Sequence, residues 1–423
     1  MSQVKFFCKV ILVGILTGLL VTAYRLSLSA AEEKNLEVYA YLNTHTNVIP
    51  FWFIALTIFA IFIGFLVKKF PLISGSGVPQ IKGILLGYFE NSPISTIISK
   101  FIGGIVSIFS GLSLGCCGPS TQLGACVGEG ISKKFRLDEK DRSTLMASGA
   151  SAGIAAAFNA PISGIIFSIE ELLGRFSPII ILALAASTLS SDFISKAVFG
   201  LEPVFNFSTQ ASIPFSKYWI VVLLGLSTGI LGTFYNLILV TLQKLYKTLP
   251  FLNPVTRPII PFIAAGILGL IFPIVLGTGH HLLPTLNLST PMSMVFVFLA
   301  IKFCFSIISF ISGAPGGIFF PILVIGASIG GIFGKISISF FDLNPIFFNN
   351  IIILAMVGYF TAILRTPLTG IILIIETTGS LSNIPAMIIV SVISAVVANT
   401  LKSEPICTAL LKAILKTQNH VVS

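Results

Sequence analysis

The chain has 423 residues, of which 55% are hydrophobic and only 9% are charged. A soluble domain usually carries about 25% charged residues, so this composition excludes a soluble enzyme, a disordered protein and a fibrous repeat. An outer-membrane barrel is also excluded, because alternating lumen-facing residues keep its mean hydropathy low, whereas the value here is +1.01. The sequence therefore predicts an all-α integral membrane protein with several spanning helices.

Charge and the metal-binding residue types narrow the class further. The 25 Lys and Arg residues exceed the 15 Asp and Glu residues, which gives a net charge of +10. The basic residues stand between apolar runs, as at Lys68–Lys69, so we interpret them as loops that orient a membrane protein and expect no nucleic-acid partner. The six cysteines and four histidines lack the paired spacing of zinc sites, so we expect no metal, no other cofactor and no disulfide framework.

In chain order, eight apolar stretches can each hold about 20 helical residues, enough to cross the hydrocarbon core. They cover residues 6–30, 51–67, 94–114, 178–200, 216–245, 256–277, 293–311 and 383–401. The first follows Lys5 and Lys9 and resembles a cleavable signal. Because apolar segments continue throughout the chain, we predict an uncleaved first helix, and we expect no soluble regulatory domain at either end.

Six shorter apolar stretches lie between the long ones, and most of them follow Gly or Pro. They cover residues 119–131, 144–157, 161–173, 318–334, 349–363 and 367–378. These stretches are too short to span unless tilted. Helices that begin inside the protein at membrane depth have free N-terminal amides that need a partner there.

Two of the short stretches repeat each other. The segments Pro161–Glu170 and Pro367–Glu376 are identical at six of ten positions, and Gly124–Gly128 matches Gly326–Gly330 upstream of them. We interpret this as a duplication within a single membrane domain, with one transmembrane repeat over 1–205 and a second over 206–423. Duplicated halves with broken helices are typical of transporters and channels, whose substrate sites lie where the repeats meet.

Three Gly/Pro clusters interrupt the apolar chain, at Gly75–Pro79, Gly115–Pro119 and Gly316–Pro321. Each can begin a short helix, because Gly permits unusual backbone angles and Pro suits a first turn. A single cluster of this kind would also be explained by a kink in a helix. Three of them, in both halves, indicate helix N-termini that bind an anion, with the Ser76 hydroxyl as a further donor. Partial charges hold an ion without trapping it, as conduction requires.

At these residues the chain resembles the CLC family of chloride channels and chloride/proton exchangers. Gly75–Pro79 is similar to the family motif Gly-Ser-Gly-Ile-Pro, and Gly317–Pro321 to Gly-x-Phe-x-Pro. Lys100–Gly104, Asn159–Glu171 and Arg365–Gly370 also resemble family segments. The resemblance covers nearly the whole chain. The family members that the chain resembles are prokaryotic and lack cytosolic domains.

The resemblance implies an inverted-repeat fold of about eighteen tilted and broken helices. It also implies a homodimer with one pore per subunit, surrounded by membrane lipid, in the cell membrane of a prokaryote. The transported partner implied is chloride, because serine in the first motif accompanies chloride preference. A hydrolytic membrane enzyme would need a Cys or Ser beside a base, and no His lies in the short broken segments, so we do not expect an enzyme.

The resemblance further implies a role for particular residues. The chloride-binding residues implied are Ser76, Gly77, Ile318, Phe319 and Cys407. The gate position is Cys116, Cys117 and Gly118, the inner proton-transfer position is Glu171, and Lys100 contributes positive potential near the anion path.

Two departures from the family pattern concern its gates. The family's gating Glu, which carries protons on the outer side, is Cys117 here, and the basic residue before it is Cys116. The Tyr that closes the inner side is Cys407. A carboxylate can compete for an anion site and carry a proton, whereas a thiol is shorter and, at a pKa of about 8.5, mostly neutral near pH 7. We therefore predict passive or weakly coupled chloride flux. The alternative is a coupled chloride/proton antiporter with a substitute outer proton carrier.

The thiols leave three hypotheses open. Cys117 at a helix N-terminus meets conditions that favour a thiolate, which would partly imitate the missing carboxylate. Oxidation of Cys117 and Cys407 would close the pore if they flank the same ion site. The simplest hypothesis is that both are small, inert residues that leave the path open.

Overall fold

The computed structural model describes residues 3–205, 207, 211–249 and 252–422. That part of the chain folds into sixteen α-helices, joined by short 3-10 segments and loops. They are α1 Gln3–Thr44, α2 Ile49–Lys69, α3 Val78–Leu85, α4 Pro93–Phe109, α5 Cys117–Lys134, α6 Glu139–Phe158, α7 Pro161–Phe167, α8 Pro178–Phe199, α9 Tyr218–Thr248, α10 Ile259–Ile271, α11 Met292–Ile311, α12 Phe319–Phe340, α13 Phe348–Leu364, α14 Pro367–Thr378, α15 Ile384–Thr400 and α16 Ile406–Val422. A π-helical turn, Ser168–Leu173, continues α7.

Seven helical segments of the described residues are long and apolar enough to cross a membrane. They are Gln3–Thr44, Thr46–Lys69, Pro178–Phe199, Phe215–Thr248, Met292–Ile311, Phe319–Phe340 and Pro345–Leu364. The prediction of an all-α, multi-spanning membrane protein is therefore confirmed. The individual lengths differ from the sequence prediction in both directions.

Three stretches that were predicted to be long form shorter helices. The stretches 94–114 and 383–401 each contain a helix of 17 residues, and 256–277 contains α10 with 13. The reasons are local. Gly111 adopts φ +87° after the end of α4, and Pro273 follows the end of α10, where its ring opposes a continuing helix.

Two stretches that were predicted to be too short to span form helical segments that are long and apolar enough to cross a membrane, so their predicted lengths are wrong. The stretch 318–334 continues to Phe340, and 349–363 gains a 3-10 turn, Pro345–Phe347, before it. In α12 the charged Lys335 does not end the helix, because its ammonium donates to the carbonyl oxygen of Leu288 at 2.8 Å. It also lies 5.6 Å from the centre of the Phe348 ring.

The two halves contact each other through reciprocal hydrogen bonds between residues 202 positions apart. The amide of Gly115 donates to Gly317 O at 2.7 Å, and the amide of Gly317 donates to Gly115 O at 2.8 Å. A second pair of bonds is related in the same way: Gly75 N donates to Gly313 O at 3.3 Å and Gly277 N donates to Gly111 O at 3.1 Å. In this pair the two donors are 202 positions apart, and so are the two acceptors. This reciprocity is what an approximate two-fold relation between repeats produces.

The repeated Pro–Glu segments also contact each other reciprocally. The Glu376 carboxylate accepts from the amides of Ile162 and Ser163 at 3.0 and 2.8 Å. The Glu170 carboxylate accepts from the amides of Leu368 and Thr369 at 3.2 and 2.8 Å. Each Glu therefore satisfies the free amides at the start of the other repeat's helix. We propose on this pattern that 1–205 and 206–423 are the two repeats; residue 206 and residues 208–210 at that boundary lie outside the described residues.

The glycines of the other repeated segment are places of close helix packing. A Cβ on Gly124 of α5 would lie 2.0 Å from Gly149 O of α6, and the converse distance is also 2.0 Å. In the second half a Cβ on Gly330 of α12 would lie 2.6 Å from the Cα of Ile352 in α13. Small residues allow backbones to approach where lipid provides no hydrophobic drive. These two buried helix pairs form the centre of the molecule and direct the first turns of α5 and α12 inward.

Candidate functional site

The loop before α3 and the N-termini of α5 and α12 meet at the centre of the molecule. A Cβ on Gly118 would lie 2.7 Å from Ser76 O, so the first turn of α5 touches the Ser76 loop. A Cβ on Gly317 would lie 3.0 Å from Gly118 N, so the loop before α12 touches the same place. The three Gly/Pro clusters that are far apart in sequence therefore lie side by side.

The Ser76 loop is held in one shape by glycine and by a buried lysine. Gly75 and Gly77 have φ of +63° and +95°, values that favour glycine. The Lys100 side chain is fully buried. Its ammonium donates to Ile73 O at 2.8 Å and to Gly75 O at 2.6 Å. Lys100 therefore fixes the carbonyls of Ile73 and Gly75 and places its ammonium next to the Ser76 loop.

The first turns of α5 and α12 supply backbone amides to this centre. The first four amides of a helix have no partner within it, and the helix dipole places partial positive charge there. Cys117 begins α5 and Phe319 begins α12, with Cys116 and Ile318 immediately before them. All four side chains are buried. Two buried, amide-rich helix ends beside one serine hydroxyl form an arrangement suited to a small anion.

Aromatic packing fixes the ring of Phe319. Its centroid lies 5.6 Å from that of Phe167 and 5.7 Å from that of Phe360, both edge-on. Phe167 belongs to the repeated segment of the first half, and Phe360 belongs to α13 in the second half. The Phe319 ring therefore packs between the two halves. Edge-to-face pairs of this kind contribute roughly 0.5–1.5 kcal/mol beyond burial. The first turn of α12 is therefore held in place by packing at one side of the site.

The thiol of Cys407 lies near both Cys117 and the carboxylate of Glu171. Cys407, in the first turn of α16, is buried and lies close enough to Cys117 and Glu171 for an electrostatic interaction. Glu171 stands on the π-helical turn and is 6% exposed. Each position that the resemblance implied is therefore near the same centre, although the role of each stays a prediction.

Lys82 is a residue of this site that sequence reasoning missed. Its ammonium pairs with Glu171 Oε1 at 2.9 Å and lies 3.5 Å from Thr408 Oγ1. Lys82 stands on α3, six residues after Ser76, and Thr408 follows Cys407 on α16. The ion pair therefore connects the candidate anion loop to the candidate proton carrier. No local pattern marks it, because 89 residues separate the two charges.

Arg25 is a second residue that the sequence did not mark. Its guanidinium donates to Asn159 Oδ1 at 3.0 Å and lies 3.9 Å above the Phe199 ring centre. It is also close enough to the Cys116 thiol for an electrostatic interaction. A positive charge from α1 therefore stands near Cys116, one of the residues at which the resemblance implies the gate.

We expect Lys82→Met to destabilise the protein, because it leaves the Glu171 carboxylate buried without its partner. Removing one member of a buried pair typically costs roughly 3–5 kcal/mol. The measurement is equilibrium unfolding of the detergent-solubilised protein. The matched control is Lys34→Met, whose exposed pair with Glu37 should contribute less than about 1 kcal/mol. Equal losses in the two variants would contradict the buried-pair interpretation.

The chain matches known proteins along most of its length. The family model described as voltage gated chloride channel matches residues 59–399. The H(+)/Cl(-) exchange transporter ClcA of Vibrio vulnificus strain YJ016 is 33% identical over 421 residues, which is 96% of this chain and 89% of that protein. The ClcA of Klebsiella pneumoniae strain 342 is 32% identical, with 96% and 88% covered.

Solved structures agree in fold. A slow cyanobacterial Cl-/H+ antiporter superimposes with a TM-score of 0.89 at 27% identity, over 98% of this chain and 99% of that chain. A CLC-type fluoride/proton antiporter superimposes with a TM-score of 0.79 at 22% identity, over 94% and 96%. The second likeness bears on the fold alone.

Proposed function

The chain belongs to the voltage-gated chloride channel (CLC) family, and on that premise we propose that it exchanges chloride for protons across a membrane. It is a multi-pass integral membrane protein of a bacterial cell membrane. The relatives at 32–33% identity are named as H(+)/Cl(-) exchange transporters. The passive flux that the sequence favoured is not confirmed, and these names fit its alternative, coupled exchange, better.

The observation that carries the proposal is the buried Glu171 carboxylate, which lies near Cys407 beside the proposed anion site. Keeping a carboxylate out of water is expensive unless it is paired, and Lys82 pairs it at 2.9 Å. A passive anion conduit has no need of such a group, and a negative charge beside its path would repel the ion. A carboxylate that takes up and releases a proton next to an anion site is, in contrast, what exchange requires.

For the anion, we propose a site at the Ser76 hydroxyl and the amides of Gly77, Ile318 and Phe319, closed on the inner side by Cys407. All of these donors carry partial rather than full charges. Such donors replace the hydration shell of chloride without holding it so strongly that it cannot leave. Lys100, whose side-chain nitrogen lies behind the loop and donates to two carbonyls, is proposed to raise the local potential without touching the ion.

A passive conduit stays a second candidate because of Cys117. This side chain is 1% exposed and stands at the start of α5, where the family pattern has the gating carboxylate. A thiol does not bear a negative charge at its ordinary pKa of about 8.5 near neutral pH. With no other outer proton carrier, chloride would move without protons.

Purified protein in liposomes distinguishes the two candidates. Chloride efflux and proton uptake are followed together, and the reversal potential is measured with a pH gradient at a fixed chloride gradient. Exchange predicts proton movement that accompanies chloride and a reversal potential that shifts with pH. Passive flux predicts neither, and that outcome would refute the exchange proposal.

We expect Glu171→Gln to remove proton movement while chloride efflux continues. The amide keeps the shape of the side chain but cannot carry a proton at neutral pH. The readout is the proton-to-chloride ratio in the same vesicles. Glu33→Gln, which neutralises an exposed carboxylate on α1, is the matched control and should leave the ratio unchanged. Proton uptake that persists at the wild-type ratio in Glu171→Gln would show that another group carries the proton.

We also propose that the protein is a homodimer. The helices α7 and α14 have only 7 and 12 residues, and Ile162 and Leu368 in their first turns are 53% and 49% exposed. Helix ends at membrane depth are stable where protein covers them and not where lipid does. A second copy on this face would cover both. The mass of the detergent-solubilised protein, from light scattering, tests this proposal.

A further inference from the structure

The second half contains a loop that matches the Ser76 loop in backbone shape. Residues 277–279 are Gly-Thr-Gly, and they lie 202 positions after the Gly-Ser-Gly of residues 75–77. Gly277 and Gly279 have φ of +57° and +84°, close to the +63° and +95° of the first loop. In both loops the hydroxyl accepts from the amide two residues later at 3.3 Å, Val78 N for Ser76 and His280 N for Thr278.

A fully buried lysine lies behind each loop and makes the same bonds. Lys302 follows Lys100 by the same 202 positions, and neither side chain is exposed. Each ammonium donates to the carbonyls 27 and 25 residues earlier in the chain. The acceptors are Ile73 O at 2.8 Å and Gly75 O at 2.6 Å for Lys100, and Val275 O at 2.9 Å and Gly277 O at 3.0 Å for Lys302.

The second loop differs from the first in that a carboxylate occupies it. Oε1 of Glu32, on α1, accepts from Thr278 N at 3.1 Å and from Thr278 Oγ1 at 3.0 Å. Oε2 lies 3.1 Å from the same hydroxyl. A Cβ on Gly277 would come within 2.4 Å of Oε1, so the loop has room for the carboxylate only because this residue is glycine. The anion in front of Thr278 belongs to the protein itself.

We propose that the amide and hydroxyl of Thr278, with the Lys302 ammonium behind the loop, form a second anion cradle, whose resident anion is the Glu32 carboxylate. When that carboxylate is removed, the cradle takes a small monovalent anion such as chloride or bromide. The comparison with Ser76 rests on the proposed function, whereas the bound carboxylate indicates an anion site independently of it. A tethered carboxylate has a high effective concentration, so a free halide does not displace it in the wild-type protein.

The cradle lies near the residue that precedes α5 and near the first turn of α12. Glu32 is close enough to the Cys116 thiol for an electrostatic interaction. His280, two residues after Thr278, has its ring centre 6.1 Å from that of Phe320 in the first turn of α12. An anion in the cradle therefore lies near Cys116, which immediately precedes α5, and near the first turn of α12.

Bromide, which is detected by anomalous X-ray scattering, is the probe for this proposal. Crystals of the full chain are soaked in bromide for the wild type, Glu32→Ala and the control Glu33→Ala. We expect bromide beside Ser76 in all three, and a further bromide beside Thr278 in Glu32→Ala alone. Adding Thr278→Val to Glu32→Ala should remove that further bromide, because the hydroxyl donor is lost.

The outcomes separate this proposal from the proposed function. Bromide beside Ser76 but not beside Thr278 in Glu32→Ala would overturn the second cradle. Bromide beside Thr278 but not beside Ser76 would support the cradle and refute the proposed transport site, and bromide at neither place would overturn both. If Glu32→Ala does not fold, Glu32→Gln replaces it. Its neutral amide competes less strongly than a carboxylate, so a bromide of lower occupancy beside Thr278 is expected, and its absence overturns the proposal.

Discussion

Replacing Cys117 by Glu is expected to slow chloride efflux about tenfold at pH 7, which corresponds to about 1.4 kcal/mol. Cys117 begins α5, and its neighbour Gly118 touches the Ser76 loop. A carboxylate at position 117 therefore reaches the same amides and hydroxyl that we propose for chloride, and competes with the ion for them. Because a protonated carboxyl no longer competes, efflux in this variant should rise as the pH falls towards the ordinary Glu pKa of about 4.3.

The measurement is chloride efflux and proton uptake from liposomes at several pH values. Cys117→Ser, which keeps a small neutral group, is the matched control and should behave as the wild type does. A proton-to-chloride ratio that rises in Cys117→Glu would support the assignment of position 117 as the gate. Chloride efflux that is unchanged and insensitive to pH would place the gate elsewhere.

The same serine variant tests the thiol hypotheses, which stay predictions. If a Cys117 thiolate or its oxidation controls the pore, oxidants and thiol reagents should change wild-type efflux and leave Cys117→Ser unaffected. Indifference of both proteins to these reagents would leave Cys117 and Cys407 as small, inert side chains. That result would not affect the proposed anion site.

Replacing Ser76 by Ala is expected to weaken halide binding by roughly 10- to 150-fold. A hydrogen bond to a charged partner contributes about 1.5–3 kcal/mol, and the alanine variant loses the one hydroxyl of the proposed site. The backbone amides of Ile318 and Phe319 remain, so binding should be weakened and not abolished. The loop itself should persist, because Lys100 continues to hold its carbonyls.

Isothermal titration of the detergent-solubilised protein with bromide measures this effect. Ser110→Ala is the matched control, because Ser110 is also buried and its hydroxyl donates to Val106 O at the end of α4. We expect no change in affinity for the control. A less than twofold change in Ser76→Ala would show that its hydroxyl does not contact the ion.

The relation between the halves shows how far a repeat in sequence predicts contacts. The match between 161–170 and 367–376 predicted a duplication, and the structure places each segment's Glu on the other's helix start. Identical residue types at a fixed offset are visible without coordinates. The distance between them, and the fact that they cap each other, depends on the packing of α7 against α14.

Helix lengths illustrate the opposite limit. An apolar run of 22 residues at 256–277 predicted a spanning helix, but α10 ends at Ile271, whereas the charged Lys335 does not interrupt α12. A hydropathy pattern reports only which residue types follow one another along the chain. Whether a helix ends depends on the turn that follows, and whether a charge is tolerated depends on a partner such as Leu288 O.

Composition, the Gly/Pro clusters and the repeat predicted the membrane class and the broken helices, because each is a local property of the chain. Most positions around the proposed anion site were implied by the resemblance to the family, and their roles stay predictions. The tertiary structure alone decided which charges face one another. Glu171 meets Lys82 across 89 residues and Glu32 meets Thr278 across 246. In a membrane interior a charge is stable only beside its partner. That pairing is a property of packed helices, and no segment of the sequence contains it.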